Sequence, residues 1–288
     1  MELIVDKEFI NTRLDRFIRR KYSGANSNYI FKLINNGKIK VNYKKKRHSY
    51  RLQDNDVIII SDNLEFLIKK SIIKISNQDF NMVKSSIVFE NDKILILNKP
   101  AGYVMHKGSG FEYGITDILK SYTNNPDFSF VNRIDKATSG LIIGAKNMDT
   151  IRTLSALIME KKVEKHYYIL VDGIPEQENF TITSYLTKTD KGVFESASYA
   201  AGSRISRSTF KTIQKGLKRC ILEATLDTGR THQLRVQLSN QNLPIVGDLK
   251  YGKSKLTKMC LFSHRVVVDK YDLDVNLDIP NYFVEELI

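Results

Sequence analysis

The sequence contains only two cysteines, Cys220 and Cys260, and they lie far apart in the chain. Neither belongs to a CxxC pair or any other metal-ligand spacing, which argues against a zinc site and against a disulfide framework. Isolated thiols in a long chain are usually buried as small hydrophobic side chains. We therefore expect two free, buried cysteines in a protein of the reducing cytoplasm.

Long apolar runs are also missing, since none reaches the roughly 18 to 20 residues that a membrane-spanning helix needs. The first residues, MELIVDKEF, lack the basic and then apolar segments of a secretion signal, so we expect neither secretion nor membrane insertion. With 5 prolines, 42% hydrophobic and 27% charged residues, the composition is typical of a folded globular protein. A length of 288 residues favours one large domain plus a small one.

Acidic residues are almost absent between Asn11 and Arg51, where 13 Lys or Arg accompany the single acid Asp15. This window accounts for nearly all of the formal net charge of +13. A solvated charged face is the alternative explanation, but so sharp a concentration favours binding of phosphates in a nucleic acid. The cations that we expect to contact RNA are Arg13, Arg16, Arg19, Arg20, Lys21, Lys32, Lys38, Lys40, Lys44, Lys45, Lys46 and Arg47.

The same window has a readable local structure. Its apolar residues predict two short helices, with Leu14, Phe17 and Ile18 on the first and Ile30, Leu33 and Ile34 on the second. Gly37 ends the second helix, and KIKVNY at 38 to 43 and VIII at 57 to 60 predict strands. RLD at 13 to 15, Gly37, Val41 and Asn42 resemble the pattern of the S4 domain, a small RNA-binding module. Asn55 stands where that family has a turn glycine, and asparagine also tolerates a left-handed backbone.

We expect the S4-like domain to span residues 1 to 68, an interdomain connection at 69 to 86 and a larger domain at 87 to 288. In the larger domain, strands are predicted at 93 to 99, 141 to 146, 166 to 173 and 219 to 227, and an amphipathic helix follows the second strand. The order is not a regular alternation of strand and helix. The fold class predicted is therefore α+β, with a mixed, largely antiparallel sheet.

Two polar segments are candidates for chemistry. NRIDKATSGLIIGAK at 132 to 146 places Arg133 and Asp135 in a loop before a buried strand, and GRTHQLRVQL at 229 to 238 opens after a strand and continues as a helix. On the residues alone, Asp135 is as well explained as a turn residue, and Arg230 and Arg235 as surface cations.

The first segment is similar to the signature of the RluA-type pseudouridine synthases. Further stretches agree in the same order: NKPAGYVMHKGSG at 98 to 110, VEKHYYILVDG at 163 to 173, and GRTHQLRVQL followed by PIVGDLKYG at 244 to 252. Together with the S4-like window, the resemblance covers nearly the whole chain. Its layout is most similar to the RluC branch, which modifies large-subunit (23S) ribosomal RNA.

The resemblance implies an enzyme that isomerises uridine in RNA to pseudouridine and needs no cofactor and no metal. It makes Asp135 the catalytic carboxylate, acting as nucleophile or base, and Tyr167 the residue that stacks on uracil. A cation such as Arg230 would keep Asp135 ionised. Arg133 is expected to fill the space left by the extruded nucleotide. The supporting motif residues are Asn132, Thr138, Ser139, Gly140, Gly229, Thr231, His232, Gln233 and Arg235.

Two departures from the family pattern are visible. Asn132 stands where the family has histidine, and Phe262 and Ser263 replace a His-Ala pair. Asparagine keeps the hydrogen-bonding ability of histidine but loses its titration. Two other functions therefore stay open: an RNA-binding assembly protein with a relic site, and an RNA glycosidase, for which we see no second carboxylate in the sequence. The expected partner is ribosomal RNA, and the expected state is a monomer.

Overall fold

The protein divides into two compact units, Met1–Lys74 and Ile75–Ile288. The structure, a computed structural model, describes residues 1–22, 27–61, 74–108, 110–190, 192–253, 256 and 258–287. The first part of the predicted connection, up to residue 73, lies outside the described residues. Its second part contains a helix, Asn77–Ser85, which belongs to the second unit.

The first unit packs two helices against a small antiparallel sheet. The helices are α1 (Leu14–Lys21) and α2 (Ser27–Asn35), and the sheet has the order β1-β3-β2, with β1 at Glu2–Ile4, β2 at Ile39–Val41 and β3 at Val57–Ile60. Both helices and both predicted strands are confirmed. Asn55 adopts a φ of +60°, so the expected left-handed turn is confirmed as well. The apolar faces of these elements form a core of their own around Phe17, Ile34 and Ile58.

The second unit is built on a sheet that the described residues show as eleven strands. The main path runs β10-β9-β11-β12-β8-β13-β7-β5-β4, with β14 paired to β13 and β6 paired to β7. The strands are β4 (Ile87–Glu90), β5 (Ile94–Lys99), β6 (Ser129–Phe130), β7 (Ser139–Ala145), β8 (Glu164–Asp172), β9 (Asn179–Thr189), β10 (Gly192–Ser196), β11 (Arg204–Lys215), β12 (Arg219–Leu226), β13 (Leu261–Val268) and β14 (Leu273–Asn276).

Within this sheet, β7 and β13 pair in parallel and the other described pairs are antiparallel. The prediction of an α+β fold around a mixed, largely antiparallel sheet is therefore confirmed. The helices of this unit are α3 (Asn77–Ser85), α4 (Ile115–Tyr122), α5 (Met148–Met159), α6 (Gln233–Asn240) and α7 (Asn281–Leu287). The four strands predicted in the larger domain correspond to β5, β7, β8 and β12.

The core of the second unit lies on both faces of the sheet. One face carries Tyr167, Ile169 and Leu222 and packs against α4 and α6. The other face carries Ile143, Leu141 and Val266, which pack against α5. Both cysteines are free and buried, as predicted, and burial raises the pKa of Cys260 to about 12.

Candidate active site

Asp135 lies in the loop between β6 and β7, on the wall of a cleft of about 740 Å³. The cleft is formed where β8 begins and β12 ends, and its lining includes Arg133, Tyr167 and Arg230. A second depression of about 810 Å³ shares Arg133, Asp135, His232 and Arg235 with the first and continues toward residues 101 to 106. The structure thus brings together the four residues to which the sequence assigned catalysis and base extrusion.

The cation that contacts Asp135 is Arg235. Its Nη1 donates to Asp135 Oδ2 over 3.0 Å, and the Asp135 side chain keeps 23% of its surface exposed. This corrects our expectation that Arg230 holds the carboxylate. Arg230 sits in the turn before α6, where its Nε is used in a bond to the carbonyl oxygen of Ile205. Arg235 lies one helical turn deeper, on the face of α6 that is turned toward the loop of Asp135.

Arg235 is itself held by a buried carboxylate, Asp248. Its Nε and Nη2 donate to the two Asp248 oxygens over 2.7 and 2.8 Å. Burial disfavours the charged guanidinium, but the bonds to Asp248 outweigh it and raise the pKa of Arg235. For Asp248, burial opposes ionisation, yet the bonds from Arg235 lower its pKa below the ordinary value. The sequence placed Asp248 only within a motif, because its burial becomes visible only in the fold.

His232 is the second nitrogen group beside Asp135. It precedes α6 with a left-handed φ of +55°, and its Nε2 lies 3.5 Å from Asp135 Oδ2. Its Nδ1 shares a hydrogen bond of 2.8 Å with the Tyr251 hydroxyl. Burial is the main cause that lowers the pKa of His232, so the neutral ring is favoured.

Tyr167 projects from β8 into the core face of the sheet and is only 6% exposed. It lies opposite Ala224 on β12 and Ser263 on β13. Burial raises the pKa of Tyr167 to about 12, so the phenol stays protonated at neutral pH. Its neighbour Tyr168 points to the other side, where it stacks on His264 with ring centroids 3.6 Å apart.

The two departures from the family pattern have structural roles. Asn132 Oδ1 accepts a hydrogen bond of 2.8 Å from the backbone nitrogen of Ile143, which ties the loop of Asp135 to β7. Phe262 and Ser263 are buried in β13. Thr138 and Ser139 are buried where the loop enters β7, and the Thr138 nitrogen donates to the Asp135 carbonyl over 3.2 Å.

Gln233 organises the turn before α6. Its side chain accepts from the Thr228 hydroxyl and the Arg230 nitrogen, and it donates to the Arg207 carbonyl and the Ser208 hydroxyl. Gly229 and Thr231 lie in the same turn, and both are exposed. The turn is therefore anchored to β11, and this fixes the start of α6 that carries His232 and Arg235.

Lys99 contributes a buried cation that we did not single out from the sequence. Its Nζ donates to the carbonyl oxygens of Pro100, Tyr103 and Lys136, over 2.8, 3.1 and 3.2 Å. Because Lys136 directly follows Asp135, Lys99 connects the loop of Asp135 to the end of β5. Ser109, in the loop motif that we assigned to the RluC branch, lies outside the described residues.

The cleft contains further carboxylates, although we saw no second one in the sequence. Glu164 and Asp227 also line it, and Asp227 lies 3.3 Å from Arg207 Nε. Their place at the ends of β8 and β12 follows from strand pairing, which the sequence does not reveal. In the part of the chain that the structure describes, no group of three or more His, Cys, Asp or Glu is arranged to hold a metal ion.

The predicted RNA-binding cations of the first unit are mostly on its surface. Arg13, Arg16 and Arg19 surround a small pocket of about 220 Å³ beside Asp15, to which Arg13 is paired over 2.7 Å. Arg20 lies over the Phe9 ring and Lys46 over the Tyr50 ring. The exposed members of the set are Arg16, Arg19, Lys21, Lys32, Lys38, Lys44, Lys45 and Arg47, and the partly buried members are Arg13, Arg20, Lys40 and Lys46.

No helix among the described residues has the length and apolar character that crossing a membrane requires.

Comparison with known proteins shows which families the two units match. The RNA pseudouridylate synthase family matches residues 93–240, and the S4 domain family matches residues 12–58. A ribosomal large subunit pseudouridine synthase C of Vibrio vulnificus is 31% identical over 86% of this chain and 79% of its own length. The protein of the same name from Buchnera aphidicola subsp. Baizongia pistaciae is 34% identical over 85% of this chain and 78% of its own length.

Solved structures show the same fold. Human RNA pseudouridylate synthase domain containing 4 matches with a TM-score of 0.63 and 20% identity, covering 73% of this chain and 95% of its own. Human RNA pseudouridylate synthase domain containing 1 matches with a TM-score of 0.60 and 23% identity, covering 70% and 86%. The chain belongs to the RNA pseudouridylate synthase family and carries an S4 domain ahead of its catalytic domain.

Proposed function

We propose that this pseudouridine synthase isomerises specific uridines of large-subunit (23S) ribosomal RNA. The relatives that support this substrate carry the name ribosomal large subunit pseudouridine synthase C and align with most of the chain. The basic S4 unit supplies the charge to bind a structured RNA. The catalytic assignment rests on one observation. Asp135 contacts Arg235 in a cleft that Tyr167 and Arg230 also line.

The reaction breaks the bond between N1 of uracil and C1′ of ribose and forms a bond between C5 and the same carbon. The C5 hydrogen leaves as a proton and N1 gains one, so no atom is exchanged with a cofactor. Asp135 either attacks C1′ or removes a proton next to it, since a carboxylate suits a sugar carbon with oxocarbenium character. Arg235 donates a charge-assisted hydrogen bond to this carboxylate over 3.0 Å.

Tyr167 is assigned to contact with the uracil base, and Arg133 to the space that the base leaves in the RNA. The Tyr167 ring would stack on uracil, and its hydroxyl, whose pKa is raised to about 12 by burial, would exchange a proton late in the reaction. Because C1′ is inaccessible in a stacked helix, the target nucleotide must be extruded, which costs a few kcal/mol. Arg133 is exposed at the junction of the two depressions and would fill the vacated position. Arg230, on the same wall, would contact the phosphate of the extruded nucleotide.

The proposed substrate would place the enzyme with ribosomal RNA in the cytoplasm. We expect the enzyme to act as a monomer.

Tritium release from 5-labelled uridine tests the proposal. We expect the purified enzyme to release tritium from an unmodified large-subunit ribosomal RNA transcript without liberating uracil. Asp135→Asn keeps the shape of the side chain but not its charge, so it should abolish release and leave RNA binding nearly unchanged. Release by this variant would contradict the role of Asp135.

The same assay separates the alternatives. An RNA glycosidase, for which Glu164 and Asp227 offer second carboxylates in the cleft, would liberate free uracil. An assembly protein with a relic site would bind the transcript and release no tritium. Mapping pseudouridines in ribosomal RNA from cells with and without the protein would then identify its target positions.

A further inference from the structure

Asp248 lies behind Arg235, on the side away from the Asp135 carboxylate. Its side chain has no exposed surface, and its two oxygens accept hydrogen bonds from Nε and Nη2 of Arg235, a bidentate pair that we call the fork. Asp248 is itself fixed, because its Oδ1 also accepts from the backbone nitrogens of Lys250 and Tyr251 over 2.9 and 3.1 Å. The carboxylate therefore cannot follow Arg235 if the guanidinium moves.

The fork determines how Arg235 meets Asp135. A guanidinium is planar and rigid, so binding through Nε and Nη2 fixes the direction of Nη1. Nη1 is the atom that donates to Asp135 Oδ2, and His232 Nε2 faces the same oxygen at 3.5 Å. Asp135 is thus contacted at one oxygen, and its Oδ1 takes no part in either pair.

The turn that carries Asp248 also holds His232. Tyr251, three residues later, places its ring 5.1 Å from the Arg235 Cζ and its hydroxyl 2.8 Å from His232 Nδ1. A single turn after α6 therefore orients both nitrogen groups that face Asp135.

We propose that Asp248 is a positioning residue for the isomerisation: by holding Arg235 in a fork, it limits the guanidinium to one contact with Asp135 and leaves Asp135 Oδ1 to face the ribose. Without the Asp248 carboxylate, the Arg235 guanidinium would be free to rotate and donate to both oxygens of Asp135, because bidentate pairing is the preferred geometry of arginine with a carboxylate. The inference rests on the proposed role of Asp135.

Asp248→Asn tests the inference, since it keeps the volume and removes the charge. We expect kcat for tritium release to fall by about 10- to 100-fold, the loss typical of small misplacement in an active site. KM for the ribosomal RNA transcript should change by less than about 2-fold, because RNA affinity does not depend on this group. Asp248→Glu, which keeps the charge but moves it by one methylene, should show the same split between kcat and KM.

The double variant shows whether Asp248 acts through Arg235. If it does, Arg235→Lys/Asp248→Asn should be no slower than Arg235→Lys alone, since residues that act as a unit are non-additive. Asp172→Asn is the matched control: Asp172 pairs with Arg219 over 2.8 Å elsewhere in the same sheet, and its loss should leave kcat unchanged.

A wild-type kcat in folded Asp248→Asn would overturn the inference. If the asparagine variant does not fold, a wild-type kcat in Asp248→Glu would do the same. Fully additive losses of kcat in the double variant would also overturn it. Activity of Asp135→Asn would instead contradict the proposed function. An inactive Asp135→Asn beside fully active Asp248 variants would leave that function standing and remove the role of Asp248 alone.

Discussion

Lys99 is a buried side chain that contacts the loop of Asp135. It has no exposed surface, and the described partners of its Nζ are three backbone carbonyl oxygens. Burial lowers its pKa from 10.5 to about 7, although the charge of Asp135 acts in the opposite direction. The ammonium therefore titrates close to neutral pH in the folded protein, and stability should depend on pH through this residue.

The dependence can be predicted with its sign. Between about pH 7 and 10.5 the unfolded chain binds more protons at Lys99 than the folded protein does. The contribution of this group to the free energy of unfolding therefore rises with pH in that window, by at most ~1.4 kcal/mol per unit, and is lost as the pH falls toward 7. Lys99→Met cannot titrate and should lack this slope.

Urea unfolding of both proteins, at about pH 7 and about pH 9, measures this effect. The difference in unfolding free energy, wild type minus Lys99→Met, should shift in favour of the wild type at the higher pH. A difference that stays constant between the two pH values would contradict the prediction.

Among single residues, the sequence singled out Asp135 and Tyr167, which both line the cleft, but it expected Arg230 beside the carboxylate, where the structure has Arg235. Arg230 and Arg235 lie in one motif, and sequence spacing alone does not tell which of them faces a loop a hundred positions away. Asp248 and Lys99 were missed as individual residues for a similar reason. Their importance comes from complete burial, which is a property of the packed sheet and not of the local pattern.

At the level of elements, the junction of β7 and β13 depends on Gly140. Its φ is +108°, and a Cβ there would lie 2.2 Å from the Ser263 carbonyl oxygen. Gly140→Ala should therefore reduce the free energy of unfolding by about 3 kcal/mol or more, combining overpacking with a strained backbone. Gly202 has a φ of +83°, and a Cβ added there would meet no atom within 4 Å, so Gly202→Ala separates the backbone cost from the clash.

Thermal or urea unfolding of both glycine variants checks this prediction. The control should lose only about 1 to 2 kcal/mol, the cost of a left-handed alanine. Equal losses of unfolding free energy in the two variants would mean that β13 shifts at little cost. The close parallel contact between β7 and β13 would then not be required for stability.

The predicted strands were those with apolar runs buried on both faces, such as β5, β7 and β8. The strands β9 and β11 were missed because part of their buried face is polar. Ser184, Ser206 and Ser208 bond to the side chain of Gln237 inside the fold. Such a face lacks the alternation of apolar and polar residues by which a strand is recognised, and the polar network becomes apparent only when α6 packs on the sheet.

At the scale of the whole molecule, each unit has a hydrophobic core of its own, which supports separate functions for the two units. The core around Phe17 and Ile34 belongs to the first unit, and the cores on both faces of the large sheet belong to the second. The basic window between Asn11 and Arg51, with 13 Lys or Arg and one acid, lies in the first unit, whereas the cleft with Asp135 lies in the second. We therefore expect affinity and chemistry to be separable.

Removal of residues 1 to 65 tests this separation. Loss of the basic window should weaken binding to the ribosomal RNA transcript and flatten its salt dependence, by about one unit of slope for each phosphate contact removed. Tritium release from short oligonucleotides that contain the target uridine should persist, because the truncated chain retains the cleft and its own cores. Full-length protein with Lys44, Lys45 and Arg47 changed to glutamine is the matched control for charge without truncation, and it should show a smaller loss of slope in the same direction. Loss of turnover on short oligonucleotides by a folded truncated protein would show that the first unit takes part in the chemistry, because binding energy that is realised only in the transition state raises kcat rather than affinity.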